Sequence, residues 1–209
     1  MVEPLVLAAF VATTAVLVLT PGPDMLFIVA VGARGGAGVG FMAALGVAAG
    51  LAVHAAAVAF GLAAIFDAVP IAYDVVRLVG AAYLLYLGVR ALLGRGSDLA
   101  TSSAGPRTGL RRAFARGMVT NLLNPKVVLF NAAFLPQFVD PSRGSVTAQL
   151  LVLGLCFVIV DLLIDGPIGL AAGRIGGLLA GRAALRRRLD IATGSLFVGL
   201  SARLALDQR

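Results

Sequence analysis

Five ionisable side chains lie inside long apolar stretches of the sequence: Asp24, His54, Lys126, Asp161 and Asp165. A charged side chain at the centre of a membrane costs about 2.5–3.5 kcal/mol on insertion scales, so such residues are candidates for function. Asp161 and Asp165 are four residues apart and therefore share one face of a helix. Two carboxylates on one buried face repel each other. This predicts that one of them holds a proton or that a cation lies between them.

Two of these residues follow prolines that must interrupt a helix. Asp24 comes directly after the Pro-Gly-Pro turn at 21–23, and Lys126 comes directly after Pro125. Proline lacks the helical N–H and glycine tolerates unusual dihedral angles, so both helices are expected to open and to leave backbone carbonyls, such as those near Asn121, without partners. In a membrane, exposed backbone is stable only where it is buried in protein or lines a wet cavity. The alternative is that each proline makes a simple packing kink.

The two interruptions occupy equivalent positions in the two halves of the chain. When Pro23 is superposed on Pro125, LVLTPGPDMLFIVA aligns with VTNLLNPKVVLFNA and Asp24 falls on Lys126. The runs GAAYLLYLG and GSLFVGLSA agree similarly later in each half. With three helices in each half, the second half must be inverted relative to the first. Inverted repeats with a broken helix at the same position are typical of secondary transporters.

The composition indicates that lipid is the solvent for most of the chain. Of 209 residues, 60% are apolar and 13% charged, and the mean hydropathy is +1.00. A soluble domain carries about 25% charged residues, which excludes a soluble globular protein. Six segments are long and apolar enough to span a membrane as helices, and they lack the alternation of barrel strands. These segments are residues 5–31, 39–66, 71–93, 113–138, 146–172 and 189–206.

We therefore predict an all-α polytopic membrane protein, with one transmembrane domain over residues 1–209. Its six transmembrane helices form two inverted three-helix repeats, 1–93 and 113–209, and helices one and four are broken. The connection at 94–112 is rich in Gly, Ser and Thr, which predicts a mobile cytoplasmic linker. The first segment has no preceding Lys or Arg and no small-residue cleavage site, so it is expected to be a retained helix.

The positive charge is concentrated on one side of this arrangement. The net charge is +7, from 17 basic and 10 acidic residues. Twelve arginines fall in or beside the loops after helices one, three and five, and four fall on the other side. The positive-inside rule then places the arginine-rich side in the cytoplasm and both termini outside, in a multi-pass protein of the cytoplasmic (inner) membrane. This asymmetry explains the basic composition by contact with the lipid bilayer, and nucleic acid is not expected as a partner.

The motifs of enzymes are missing from the sequence. It has no GxSxG, HExxH or Walker motif, and it contains a single Cys and a single His. One thiol cannot form a redox pair, and one Cys with one His disfavours a zinc cluster. We therefore predict no catalytic residue, no cofactor and no bound metal. A membrane-embedded enzyme or redox carrier is the less favoured alternative.

Three motifs in a fixed order resemble the LysE-type exporters, the family of lysine and homoserine/threonine efflux proteins. They are LTPGPDML at 19–26, GAAYLLYLG at 80–88 and FxxGxxxNxxNPK at 114–126. The resemblance covers nearly the whole chain. It implies an exporter of amino acids or close derivatives, driven by the proton or membrane potential, and it leaves the substrate open.

We hypothesise that Asp24 and Lys126 flank a site for a zwitterion at the membrane midplane. Asp24 would meet the ammonium of the substrate and Lys126 its carboxylate. The freed backbone at the two breaks and nearby amides would add hydrogen bonds. These further residues of the substrate site are Pro23, Asn121, Asn124 and Pro125. The alternative is that the charged side chains pair with one another and hold the helices together.

Coupling to a proton or another ion is assigned to Asp161 and Asp165, with His54 either as a proton relay or as a hydrogen-bonded interior residue. A metal-cation exporter on the same plan is the second candidate, with Asp24, Asp161 and Asp165 as oxygen ligands. Lys126 beside such a site would oppose cation binding, which favours amino acids.

Small residues recur at the spacing that lets helices approach closely. Gly46 and Gly50 form one GxxxG pair, and Gly169 and Gly173 form another. They predict close helix packing, either within one chain or between the two chains of a homodimer.

Overall fold

The computed structural model describes residues 2–68 and 109–172, the side chains of 62–68 and a few others excepted, and a set of separate residues: 75, 78, 82, 85, 86, 88–90, 92, 93, 187, 188, 191, 194, 195, 198, 199, 201 and 202. Within the two continuous ranges the regular structure is helical throughout. Most of the third and sixth expected spans and most of the linker at 94–112 lie outside the described residues. The complete inverted repeat therefore stays a prediction.

The two continuous ranges contain six α-helices: α1 (Pro4–Leu19), α2 (Pro23–Gly35), α3 (Ala37–Ala68), α4 (Leu110–Leu122), α5 (Pro125–Phe134) and α6 (Val146–Leu170). Short 3₁₀ turns at Leu135–Phe138 and Pro141–Arg143 connect α5 to α6. Helices α3 and α6 each contain 25 consecutive residues apolar enough to cross a membrane. At about 1.5 Å per residue, that length exceeds the roughly 30 Å of hydrocarbon in a bilayer.

The expected interruptions of helices one and four are present. Helices α1 and α2 meet at 54°, and α4 and α5 meet at 61°. Pro23 and Pro125 are the first residues of α2 and α5, where a missing N–H is harmless to the helix that begins there. Helix α4 begins three residues before the expected start of the fourth span at 113, because no Gly or Pro follows Gly109 until Gly117.

The breaks separate two apolar cores. The larger core joins α1, α5 and the N-terminal part of α6 through Phe10, Phe130, Phe134 and Phe157, whose ring centroids lie 4.2–6.4 Å apart in the contacting pairs. The smaller core joins α2, α4 and the N-terminal part of α3, and includes Phe27. Helix α3 passes through both cores. Each break thus separates a helix of the larger core from a helix of the smaller core.

Glycines let α3 approach its neighbours to backbone contact. A Cβ at Gly46 would overlap the carbonyl oxygen of Phe114 on α4, and one at Gly117 would overlap the carbonyl oxygen of Ala43 on α3. Gly40 on α3 and Gly169 on α6 exclude each other's Cβ in the same way. Gly46, Gly50 and Gly169 thus pack within one chain, which is one of the two arrangements expected for the GxxxG pairs. Gly173 lies outside the described residues.

The outward faces of the long helices are apolar. On α6, Leu155, Leu163 and Leu170 are exposed, and on α3 Phe60 is exposed. Side chains of this kind on the surface of a protein mean that the surrounding solvent is lipid. The chain is therefore a membrane protein.

Candidate functional site

The two helix breaks meet at one cavity, which we call the central cavity. Its volume is about 30 Å³, room for roughly two water molecules. Six of the nine predicted site residues line it: Asp24, Asn121, Asn124, Lys126, Asp161 and Asp165. The remaining three have other places. Pro23 and Pro125 begin helices α2 and α5, and His54 lies behind Asn121.

Asp24 is held by both amides of the opposite break. Nδ2 of Asn121 donates to Asp24 Oδ2 at 3.0 Å, and Nδ2 of Asn124 donates to the same oxygen at 2.9 Å. The other oxygen, Oδ1, is buried and accepts no hydrogen bond within the described residues. A buried acceptor without a donor is costly, so this oxygen is available for a cationic ligand.

Asn124 has two roles at once. While its Nδ2 binds Asp24, its Oδ1 accepts a hydrogen bond from the backbone N–H of Lys126 at 3.0 Å and thereby caps the N-terminus of α5. Asparagine is among the preferred residues at this position of a helix. The same side chain therefore starts α5 and orients the carboxylate of the first break.

Lys126 reaches across to the first break. Its Nζ donates to the carbonyl oxygen of Leu17 at 3.1 Å and to that of Thr20 at 3.4 Å. Pro21 cannot donate the helical hydrogen bond that the Leu17 carbonyl would otherwise accept. The C-terminal end of α1 also carries the negative end of the helix dipole, which favours an ammonium there. Each break is thus completed by side chains from the other.

His54 meets the corresponding carbonyl of the second break. Its Nε2 lies 3.3 Å from the carbonyl oxygen of Asn121, which is the carbonyl that Pro125 leaves without its usual helical donor. The tautomer with a proton on Nε2 donates to this oxygen. His54 is half-buried on α3 and so links that continuous helix to the break between α4 and α5.

Asp161 and Asp165 lie side by side on the inner face of α6. They are 6% and 2% exposed, and each has one buried oxygen without a hydrogen-bond partner in the described part of the chain, Oδ2 in Asp161 and Oδ1 in Asp165. With Asp24, they bring three carboxyl groups to a cavity that Lys126 also lines. Such an arrangement can take up positive charge, as a proton, a cation or the ammonium of a ligand.

The sequence predicted that freed backbone at the breaks would belong to the site, but not which carbonyls and which apolar side chains line it. The carbonyls of Leu17 and Thr20 accept from Lys126, and Leu51 and Phe157 form apolar wall. Phe157 is four residues before Asp161 and Leu51 is three residues before His54, so helical spacing from the ionisable residues would have found both.

Helices apolar enough to cross a membrane, with two broken helix pairs that line one cavity with charged side chains, are typical of integral membrane transport proteins. Comparison with known families agrees with this class. The model of the LysE type translocator family matches residues 15–208, so the chain belongs to that family. It is a translocator and not an enzyme, as the sequence predicted.

Relatives of full length support the assignment. The chain is 33% identical to an uncharacterized membrane protein of Pseudomonas aeruginosa, over 90% of this chain and 89% of that protein. It is 32% identical to the homoserine/homoserine lactone efflux protein of Salmonella typhi, over 94% of both chains. It is 31% identical to the leucine efflux protein of an Enterobacter species, over 90% of both chains. No solved structure matches the chain.

Proposed function

We propose that the protein is a secondary exporter that moves amino acids or close derivatives out of the cytoplasm across the inner membrane. The observation that carries this proposal is the central cavity, where a carboxylate from one helix break and an ammonium from the other meet. The efflux proteins among the relatives support amino acids as the substrate class. They do not favour metal-cation export, and an ammonium in the cavity opposes it.

The substrate replaces contacts that the cavity makes with itself. The ammonium of the amino acid binds Oδ1 of Asp24, which has no donor within the described ranges, while Asn121 and Asn124 keep that carboxylate in place through Oδ2. The substrate carboxylate draws the Lys126 ammonium from the carbonyls of α1, and those carbonyls then accept from the substrate. Leu51 and Phe157 contact the side chain.

The central cavity must widen to admit this substrate. A volume of about 30 Å³ holds water and not an amino acid. The bends at the two breaks are the natural places for the change, because α1 with α5 and α2 with α4 belong to separate cores. Transport then alternates between a cavity open to the cytoplasm and one open to the outside, where both termini lie.

Asp161 and Asp165 couple this movement to a proton or another ion. Each carries an oxygen with no partner among the described residues, on a continuous helix that runs from the larger core to the smaller one. Binding of a positive charge by the pair relieves the repulsion among three carboxylates and so changes how strongly the cavity holds the substrate ammonium. His54, on the opposite side of Asn121, is the candidate proton relay.

Efflux measurements test the substrate class. The protein is expressed in a bacterial host without its own amino-acid exporters, which is challenged with amino acids, toxic analogues and metal salts. We expect protection against one or more amino acids, with leucine and homoserine tested first, and measurable efflux of the same compound. Protection against cadmium or manganese alone would overturn the proposal.

Lys126→Met tests the carboxylate half of the site. Losing one partner of a buried charge pair costs about 2–5 kcal/mol, so efflux should fall by about 30-fold or more. The measurement is the initial rate of efflux of radiolabelled substrate from loaded cells, divided by the amount of protein in the membrane. Arg112→Gln removes an exposed positive charge from the start of α4 and should keep the normal rate. A normal rate in Lys126→Met contradicts the assigned role.

Asp161→Asn and Asp165→Asn test coupling. Each should abolish the acceleration of efflux by an imposed pH gradient in proteoliposomes, yet retain exchange of labelled for unlabelled substrate, which needs no net ion movement. Acceleration by the pH gradient that survives in both variants contradicts this coupling role. Acceleration of the normal protein by a sodium gradient alone would assign sodium as the coupling ion. In His54→Gln, loss of the pH response places His54 in the relay, whereas a normal response leaves it as the partner of Asn121.

A further inference from the structure

A second, larger cavity lies far from the helix breaks. It lies between the N-terminal end of α1 and the segment that connects α5 to α6, and its volume is about 210 Å³. The lining includes Glu3 and Val6 from the first helix, and Phe138, Asp140 and Arg143 from the connecting segment. We call it the outer cavity, because the topology proposed above puts it at the extracytoplasmic face.

Charges of both signs meet in the outer cavity. Nη2 of Arg143 lies 3.2 Å from Oε2 of Glu3, and Nε of Arg143 lies 3.2 Å from Oδ2 of Asp140. Hydrogen bonds from the hydroxyl and backbone N–H of Ser142 hold the pKa of the Asp140 carboxyl below its usual range. Asp140 therefore stays anionic and keeps Arg143 in place when the contact with Glu3 is broken.

A buried glutamine fixes the connecting segment. Gln149, at the start of α6, is 3% exposed and its Nε2 donates to the carbonyl oxygen of Asp140 at 2.8 Å. Its Oε1 accepts from the backbone N–H of Asp140 at 3.1 Å. The wall that carries Arg143 is thus anchored to α6, whereas Glu3 belongs to the end of α1. The two charges can separate without unfolding either element.

We propose that the outer cavity is a second amino-acid site, in which a zwitterion lies between Glu3 and Arg143. The ammonium pairs with the Glu3 carboxylate, and the carboxylate pairs with the Arg143 guanidinium, whose planar fork suits a carboxylate. The exposed ion pair contributes little to stability, so the ligand gains two ion pairs for the loss of one weak contact. Val6 and Phe138 provide apolar wall for an uncharged side chain.

Helix α1 connects the two sites. Glu3 directly precedes its N-terminal end at the outer cavity, and the carbonyls of Leu17 and Thr20 at its other end accept from Lys126 in the central cavity. A ligand that separates Glu3 from Arg143 displaces the end of α1, and so affects the contacts of Lys126. In export, the outer cavity would be the last site that the substrate occupies before release, and this part of the inference rests on the proposed function.

External ligands test the outer site during efflux. Inhibition of efflux from inside loaded vesicles is measured with external leucine, leucinamide, which lacks the carboxylate, and N-acetylleucine, which lacks the ammonium. With the normal protein, we expect leucine to inhibit at up to about fivefold lower concentration than either analogue, the upper value for the loss of one exposed ion pair. Arg143→Gln should remove the preference for leucine over leucinamide. Glu3→Gln should remove the preference for leucine over N-acetylleucine.

The ratios of inhibitory concentrations distinguish a ligand site from an ion pair that only holds two elements together. Breaking such a structural ion pair changes the rate of efflux, but it does not change which ligand groups the protein distinguishes. Arg112→Gln, the matched change at the other end of the helix bundle, should keep both preferences. Unchanged preferences in Arg143→Gln and Glu3→Gln, or no inhibition of the normal protein by external leucine, overturn the outer site.

Binding measurements keep the inference testable without transport. Purified Lys126→Met protein, whose central site is disabled, should still bind leucine in calorimetry and prefer it to leucinamide. Adding Arg143→Gln should remove that binding. Absence of binding in Lys126→Met, or equal binding in the double variant, overturns the outer site. Failure of the normal protein to export any amino acid overturns the proposed function instead, since this binding test does not depend on efflux.

Discussion

Asp24→Asn is expected to abolish amino-acid efflux while leaving the protein folded in the membrane. The asparagine oxygen can still accept from Asn121 and Asn124, as Asp24 Oδ2 does. The substitution removes the negative charge. It also replaces the acceptor Oδ1, which has no donor among the described residues, with an amide nitrogen that only donates. A substrate ammonium then lies unpaired in a buried cavity, at a cost of about 2–5 kcal/mol. The initial rate of efflux per folded molecule should fall by about 30-fold or more.

The same variant distinguishes a substrate site from a structural contact. If Asp24 serves only to hold α2 against the second break, its replacement lowers the melting temperature of the purified protein and leaves the efflux rate per folded molecule near normal. We expect the opposite pattern. Asp24→Glu is the matched variant, because it keeps the charge but moves it by one methylene, and it should retain part of the activity. A rate within twofold of normal in Asp24→Asn contradicts the binding role.

Gly46→Ala is expected to have the largest effect on stability. Its new Cβ would overlap the carbonyl oxygen of Phe114, so two helix backbones must separate, and no flexible side chain is present to yield. Overpacking of this kind costs about 1–3 kcal/mol and more where backbone must move. The melting temperature in detergent should fall well below normal, and less protein should accumulate in the membrane.

Gly61→Ala is the matched control on the same helix. A Cβ at Gly61 meets open space, and alanine is a better helix former than glycine by about 1 kcal/mol. This variant should keep or slightly raise the melting temperature. Equal melting temperatures for the Gly46 and Gly61 variants would contradict the backbone contact between α3 and α4.

The outline of the fold follows from the sequence where apolar length and proline determine it. The continuous spans expected at 39–66 and 146–172 are helices Ala37–Ala68 and Val146–Leu170. Both breaks lie at the expected prolines because a missing N–H acts locally and needs no tertiary information. The matching positions of those prolines also predicted that Asp24 and Lys126 would line one cavity, which they do.

The contacts within the site depend on how the two breaks pack and could not be derived from the sequence. Helical spacing places Asn121 and Asn124 on one face, but only the packing of α2 against α4 brings both amides to a single oxygen of Asp24. From the sequence we expected the amides of Asn121 and Asn124 to bind the substrate, whereas in this structure they position the carboxylate of Asp24. Likewise, the sequence predicts free carbonyls at each break without revealing that Lys126 and His54 reach them.

The small volume of the central cavity affects whether protons can leak across the membrane through the protein. A continuous file of water through the protein would let protons run down their gradient without moving any substrate. A cavity of about 30 Å³ holds roughly two waters, too few to bridge about 30 Å of hydrocarbon. We therefore propose that Phe157, Leu51 and the contacts of Lys126 interrupt a file of water at this point, so that the proposed exporter does not leak protons between transport cycles.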